Sequence, residues 1–342
     1  MKSINNISIC RFFTNLLFVL FLTSFQFTFS QSFSQSPAKV QHVKSTLLPE
    51  IATISENIVY KTSKRGDSLS LDLYTPKNFS GTLPVLIYVH GGGWIEGSKA
   101  VYADNYLETT IAKLIAKQYA VISINYTLLN DSTHFPLPLE DTKDAVRWVR
   151  KNAEKYNFDI HNIGLFGASA GAHLSLLAAY TPDNAFIGSP LLSSYSAKVN
   201  YVVDHYGPAD LNKLFLTRLG TIPVAIVGMI SKKIVSLQQG LVKGLSGYDL
   251  KKDQDRAIDY LKTISPVTYT KTGVPTLIVQ GNKDKIVPLS QSKKLYRKLR
   301  KAKIESSLIT IDNGVHSFST TDKATLDKMT DQTVDFIVSQ KK

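Results

Sequence analysis

The sequence predicts an α/β fold, a mostly parallel sheet with helices on both faces. Three observations point there. From about residue 55 onward, short apolar runs alternate with amphipathic stretches, as in successive βα units. The run at 163–166 passes through a glycine-flanked turn directly into the helical pattern at 170–180. No internal repeat and no Pro/Gly/Ser linker divides residues 55–342, so they read as one domain. A chain of 342 residues with 43% apolar and 10% aromatic residues has ample material for a core, which excludes a disordered or low-complexity protein.

The elements follow in order. Residues 83–89 form an uninterrupted apolar strand, 106–118 an amphipathic helix and 120–126 a second buried strand. Residues 139–156 read as a helix with Ala145, Val146, Val149 and Ala153 on one side. Strand 163–166 and helix 170–180 come next, then strands at 199–205, 276–280 and 307–311, and a closing helix at 322–340. Between the last two strands lies a basic helix, residues 292–303, with seven cations, no acid, and Leu295 and Leu299 on one face. It reads first as a solvated amphipathic surface, and second as a site of weak attraction for acidic polymers or an anionic envelope. It lacks the aromatic interleaving expected of a nucleic-acid surface. Residues 211–263 break the alternation with the apolar stretch 222–230, too short to cross a bilayer. They read as a cap-like or lid-like insertion.

The first thirty residues read as a secretory signal peptide. Lys2 and Arg11 are their only charges, the apolar run 16–22 follows, and small residues precede Gln31. Residues 31–54 read as a Ser- and Gln-rich leader. Cleavage after Ser30 lowers the net charge from +13 to +11 and removes Cys10, the sole cysteine. A thiolate nucleophile, a disulfide and a cysteine-ligated metal are thereby excluded. The expected location is periplasmic or extracellular, without a stable membrane span.

Residues 167–171, Gly-Ala-Ser-Ala-Gly, lie between a strand and a helix. A serine there occupies a tight turn that presents its hydroxyl at the top of the sheet, above a helix N-terminus. Residues 90–94, His-Gly-Gly-Gly-Trp, follow the strand 83–89, and their bare N–H groups are suited to an oxyanion. Gly92 and Gly93, with the N–H of Ala170, are the candidate donors, whereas His90 reads as a structural residue. A phosphate-binding loop is disfavoured, because no Lys-Ser/Thr follows in the required spacing. A hydroxyl nucleophile needs a base, and the base needs an orienting acid. In the order serine, acid, histidine, His316 is the best-placed base and Asp284 the acid, with Asp204, Asp210 and Asp312 as competing acids; His134, His161 and His205 are the alternative bases, and His42 lies in the leader.

These elements resemble the α/β-hydrolase esterases with a His-Gly-Gly-Gly loop: the hormone-sensitive-lipase-like carboxylesterases and, more closely, the bifunctional feruloyl/acetyl-xylan esterase-like (BD-FAE-like) enzymes. The residues concerned are 90–94 with Gly97-Ser98-Lys99, the stretch 144–153, 167–173, Tyr206-Gly-Pro-Ala-Asp210, Ser265-Pro266, 281–284 with Val287-Pro288, and 314–316. Ala172 stands where these relatives often carry a further glycine. The resemblance implies an α/β-hydrolase fold and a Ser-His-Asp esterase acting on short acyl groups, often on plant polysaccharides, with no metal or organic cofactor. A lipase-like esterase for longer chains, a peptidase or amidase, and an arylformamidase share this scaffold. A catalytically silent binding module would usually have lost a member of the triad.

Overall fold

A computed structural model of the chain describes residues 43–62, 66–217 and 232–341. The expected signal peptide, residues 31–42 of the leader and the apolar stretch 222–230 lie outside the described residues.

Eight strands form one sheet among the described residues: β1 (Ala52–Thr62), β2 (Ser68–Pro76), β3 (Leu83–Val89), β4 (Ala120–Ile124), β5 (Phe158–Ala168), β6 (Tyr201–His205), β7 (Thr276–Gly281) and β8 (Ser306–Ile311). Their order is β1-β2-β4-β3-β5-β6-β7-β8. β2 is antiparallel to β1 and to β4, and every other pairing is parallel. All seven residues of β3 and all five of β4 are buried, which is why these strands read as continuous apolar runs rather than as alternations.

Successive side chains of each strand enter two separate cores. Val85, Ile87, Ile163, Leu165 and Ile278 face one, and Leu86, Tyr88, Phe166, Val203 and Val279 face the other. The first core is closed by α2 (Leu137–Lys151), α3 (Ala170–Tyr180) and α6 (Ser290–Lys301), through Val149, Leu174, Leu177, Leu295 and Leu299. The second is closed by α1 (Tyr106–Ala116) and α7 (Lys323–Ser339), through Ile111, Leu114, Val334 and Ile337. Each such side chain contributes about 1.5–3 kcal/mol on burial. The chain winds outward from β3 to β4 and then returns across β3 to β5, so the winding direction reverses between β3 and β5. The carboxyl ends of strands at such a reversal are where α/β sheets hold ligands.

Several boundaries differ from the sequence reading. The helix expected over 139–156 starts at Leu137 and breaks at Asn152, after which the single turn Ala153–Tyr156 ends on left-handed Asn157. The strand expected over 120–126 stops at Ile124, and that over 163–166 extends to Phe158–Ala168. Leu48 is fully buried against the second core and β1 starts at Ala52, so the ordered body begins ahead of the expected boundary at residue 55. In the insertion, α4 (Lys232–Ser246) and α5 (Gln254–Thr263) pack on the body. Val242, Leu245, Ala257 and Leu261 join the first core, and the Tyr260 hydroxyl donates to the Phe135 carbonyl at 2.9 Å.

Candidate active site

Ser169 follows β5 and caps α3 in a conformation of φ 54°, ψ −118°, which a side chain rarely adopts. The turn is held by its surroundings. The Ser169 N–H donates to the His205 carbonyl at 2.9 Å, and the Ser169 carbonyl accepts from His173 N–H at 3.1 Å. The flanking glycines are required by close approach. A Cβ on Gly171 would lie 2.0 Å from the Val89 carbonyl oxygen, and one on Gly167 would lie 2.3 Å from that of Gly171.

Three loops from different strands converge on this serine. His316, beyond β8, sets Nε2 3.0 Å from Ser169 Oγ and Nδ1 2.7 Å from Asp284 Oδ2. The Asp284 side chain is fully buried. Its Oδ1 accepts from the N–H groups of Ile286 and Val287, both at 2.9 Å, and its Oδ2 accepts a further bond from Gln280 Nε2 at 2.9 Å. Gln280 is itself held by the Ser292 hydroxyl, which donates to its Oε1 at 2.9 Å. The acid loop and the histidine loop are in backbone contact: Lys283 N–H donates to the Gly314 carbonyl at 2.9 Å, and a Cβ on Gly281 would lie 2.1 Å from that oxygen. The Tyr206 ring meets His316 edge-on at 4.9 Å and bonds Tyr106 through the two hydroxyls at 2.7 Å.

On the opposite side, the loop after β3 carries Gly92 at φ 113°, Gly93 at φ 57° and Trp94 at φ 67°. Its carbonyl at Gly92 closes a turn with Ile95 and Glu96 N–H, both at 3.0 Å. The N–H groups of Gly92 and Gly93 donate to no protein acceptor among the described residues. Ala170, the first residue of α3, has an N–H without an intrahelical partner. The loop's position is set by two histidines. His90 stacks on Tyr126 at 4.3 Å and its Nδ1–H donates to the Gly91 carbonyl at 2.7 Å. Trp94 Nε1 donates to His173 Nδ1 at 3.3 Å. Burial pushes both imidazoles down to about 4, so they are neutral above that range, and the Gly91 and Ile264 carbonyls oppose the shift only in part.

The competing candidates are placed elsewhere. Asp204 is buried with Oδ1 on the Gly207 N–H, and burial pushes its carboxyl up to about 7. Asp210 caps the turn Leu211–Leu214 and pairs with Lys294, and Asp312 accepts from Asn282. His134 bonds the Gly244 carbonyl, His161 is exposed, and His205 is enclosed by Phe166, Tyr106, Tyr206 and Phe318. His42 lies outside the described residues. Gln280 and the Trp94–His173 link were missed by sequence reasoning. His173 stood within a noted motif, but nothing local marks its partners, which are 79 and 91 residues away.

The fold and the converging loops define an α/β-hydrolase of the kind that presents a nucleophilic serine on a strand-to-helix turn. The chain belongs to the BD-FAE family, whose profile matches residues 71–299. It is 26% identical over 257 residues to Esterase LipC of Mycobacterium tuberculosis, covering 74% of this chain and 58% of that protein. The chain spans about half the length of the curated relatives it matches. Among solved structures it resembles a truncated carbohydrate esterase from gut microbiota, with TM-score 0.66 and 24% identity over 86% of this chain and 99% of that one. It also resembles a bifunctional GH43-CE of Bacteroides eggerthii, with TM-score 0.63 and 25% identity over 84% of this chain and 38% of that one. Among the described residues, no helix is long and apolar enough to cross a membrane.

Proposed function

We propose that the protein is an exported serine carboxylic-ester hydrolase acting through an acyl-enzyme on short acyl esters, acetyl or feruloyl, of carbohydrates. The observation that carries the reaction type is the chain of contacts from Asp284 Oδ2 to His316 at 2.7 Å and from His316 Nε2 to Ser169 Oγ at 3.0 Å. His316 takes the serine proton as Oγ attacks the ester carbonyl. Asp284 holds the imidazole with Nδ1 protonated and stabilises the cation that forms. The carbonyl oxygen becomes an oxyanion, which the N–H groups of Gly92, Gly93 and Ala170 receive at the N-terminus of α3. Collapse expels the alcohol, protonated by His316, and a water activated by the same histidine releases the acid. No step needs a metal or cofactor.

Support for a carbohydrate substrate comes from the BD-FAE family match and from the likeness to the bifunctional GH43-CE. Export is supported by the charge and apolar pattern of residues 1–30.

The test measures acetate released from acetylated xylan alongside turnover of a decanoyl ester, with Ser169→Ala as the blank. Acetate release with little decanoyl turnover is expected, and Ser169→Ala should lower kcat by about 10⁴–10⁶. The reverse preference would move the substrate to lipids, and a loss below tenfold in Ser169→Ala would sink the serine mechanism.

A further inference from the structure

The basic helix α6 is not used by the chemistry above. Its underside is conventional: Leu295 and Leu299 are fully buried in the first core, and Gln291 and Ser292 are buried at its start. Its outer face is not. Lys293, Arg297, Arg300 and Lys301 are exposed at spacings of four, seven and eight residues, which aligns them as a stripe along one side. Lys303 extends the stripe past the helix end. None of these five forms an ion pair among the described residues. Lys294 is neutralised by Asp210, and Lys298 donates to the Val267 carbonyl at 3.0 Å.

Helix stability accounts for Arg300 and Lys301, in the last turn at the negative end of the dipole, but not for the rest of the stripe. Like charges four residues apart repel each other, and Lys293, in the first turn, opposes the helix dipole. Solubility needs charge of mixed sign, not an unbroken run of one sign. The stripe also begins beside the candidate site. The loop that holds Asp284 runs directly into α6, and Ser292 on the helix bonds Gln280, which bonds Asp284. Lys283 and Lys285 are exposed on that same loop.

We propose that the outer face of α6 is a docking surface for a carboxylate-bearing polysaccharide, the same polymer whose ester groups enter the active site. The proposal rests on the ester-hydrolase reading and narrows its substrate to acidic, acylated glycans. A linear polyanion matches a linear row of cations whose first member, Lys293, adjoins Ser292 at the start of the link to Asp284. A lipid surface does not fit as well, because interfacial helices keep an apolar face for the acyl chains and both leucines of α6 are committed to the core. A nucleic acid would require stacking aromatics, and Tyr296, the one aromatic residue of the helix, packs against the core.

The test compares the wild-type protein with the triple variant Lys293→Glu/Arg297→Glu/Arg300→Glu and its neutral counterpart Lys293→Gln/Arg297→Gln/Arg300→Gln. Each is assayed on acetylated glucuronoxylan, on the same polymer with its carboxylates reduced to alcohols, and on p-nitrophenyl acetate. Retention on immobilised, deacetylated glucuronoxylan reads binding without hydrolysis. Wild type should show a KM on the acidic polymer about tenfold below that on the reduced polymer, an advantage that disappears in 0.5 M salt. Both variants should lose that advantage and the retention, with p-nitrophenyl acetate turnover unchanged. Equal KM on the two polymers at low salt, or binding to phosphatidylglycerol vesicles without retention on the polymer, overturns the docking surface. Absence of p-nitrophenyl acetate turnover in wild type would instead count against the esterase reading, and retention would still decide the docking surface.

Discussion

Trp94 and His173 are joined by one hydrogen bond, indole Nε1 to imidazole Nδ1 at 3.3 Å, between the loop after β3 and helix α3. The other nitrogen of His173 then donates to the Ile264 carbonyl at 2.7 Å. One buried ring therefore ties the glycine loop, the helix that starts at the serine, and the end of the insertion.

Replacing that ring tests whether the tie matters to chemistry. His173→Leu leaves the Trp94 N–H and the Ile264 carbonyl unpaired in the interior, at a cost of about 2–4 kcal/mol. Thermal unfolding should reflect that loss. If the tie sets the positions of Gly92 and Gly93, kcat should also fall about tenfold with KM little changed, since oxyanion donors act mainly in the transition state. His173→Gln, which can both donate and accept, should restore part of each. A lowered melting temperature with unchanged kcat would reduce the link to a structural one.

The backbone at Ser169 predicts a conflict between stability and activity. Its φ of 54° with ψ of −118° is readily available to glycine and costs other residues about 1–3 kcal/mol. Ser169→Gly should therefore raise the melting temperature while abolishing esterase activity. Ser169→Ala, which keeps the Cβ and the strain, should leave the melting temperature close to wild type. Equal shifts in the two variants would mean that the turn is not strained.

Asp204 makes stability depend on pH in an unusual direction. Burial raises its carboxyl from 3.8 to about 7, so between those values the folded protein binds a proton that the unfolded chain has released. Stability from this group is complete below about 3.8 and is lost as pH rises through 7. Asp204→Asn should accordingly raise the melting temperature at pH 8 and have less effect at pH 5. His90, His173 and His205 act in the opposite sense. Burial holds them at about 4, 4 and 3, below the usual 6.5, so their contribution is full above 6.5 and is lost as pH falls through 4. Urea midpoints of wild type and Asp204→Asn across pH 4–8 separate the two effects.

Gln280 offers a test of how Asp284 is held. Gln280→Leu removes the bond to Asp284 Oδ2 and the acceptor of Ser292, while both backbone N–H bonds to Oδ1 remain. A five- to tenfold fall in kcat with little change in KM is expected on the order of one lost charge-assisted hydrogen bond. An unaltered kcat would assign Gln280 to packing alone.

Part of this molecule was legible before folding was considered. The continuous apolar runs of β3, β4 and β7 stand out because both faces of a central parallel strand are buried. β1 did not stand out: as an edge strand with register shifts near Ser55 and Val59, it has a broken alternation. β2 does carry the signal, in the alternation of Leu69, Leu71 and Leu73 along the strand. The helix starts at Tyr106 and near Asp322 match the sequence reading to within a residue, where Asn105 and Asp322 cap the first turn. By contrast, α2 starts two residues ahead of the expected 139, at Leu137, behind Pro136, which makes no side-chain cap bond.

The chain itself specified the α/β pattern, the glycine-flanked serine, the glycine loop and the order of the three candidate residues, because each is a local demand on backbone space or on strand burial. Proximity required the tertiary structure. Ser169, Asp284 and His316 are separated by 115 and 32 residues of chain, and they meet because β5, β6, β7 and β8 pair in parallel, which gathers their carboxyl ends at one edge of the sheet. The same gathering separated Asp284 from Asp204, Asp210 and Asp312, which have equal chemistry but different neighbours. It also created what no local pattern encodes: the Trp94–His173 link, the Tyr206 ring against His316, and the contact of Gly281 with Gly314. Sequence selects the reactive groups, and long-range packing sets their distances, on which hydrogen bonding and proton transfer depend.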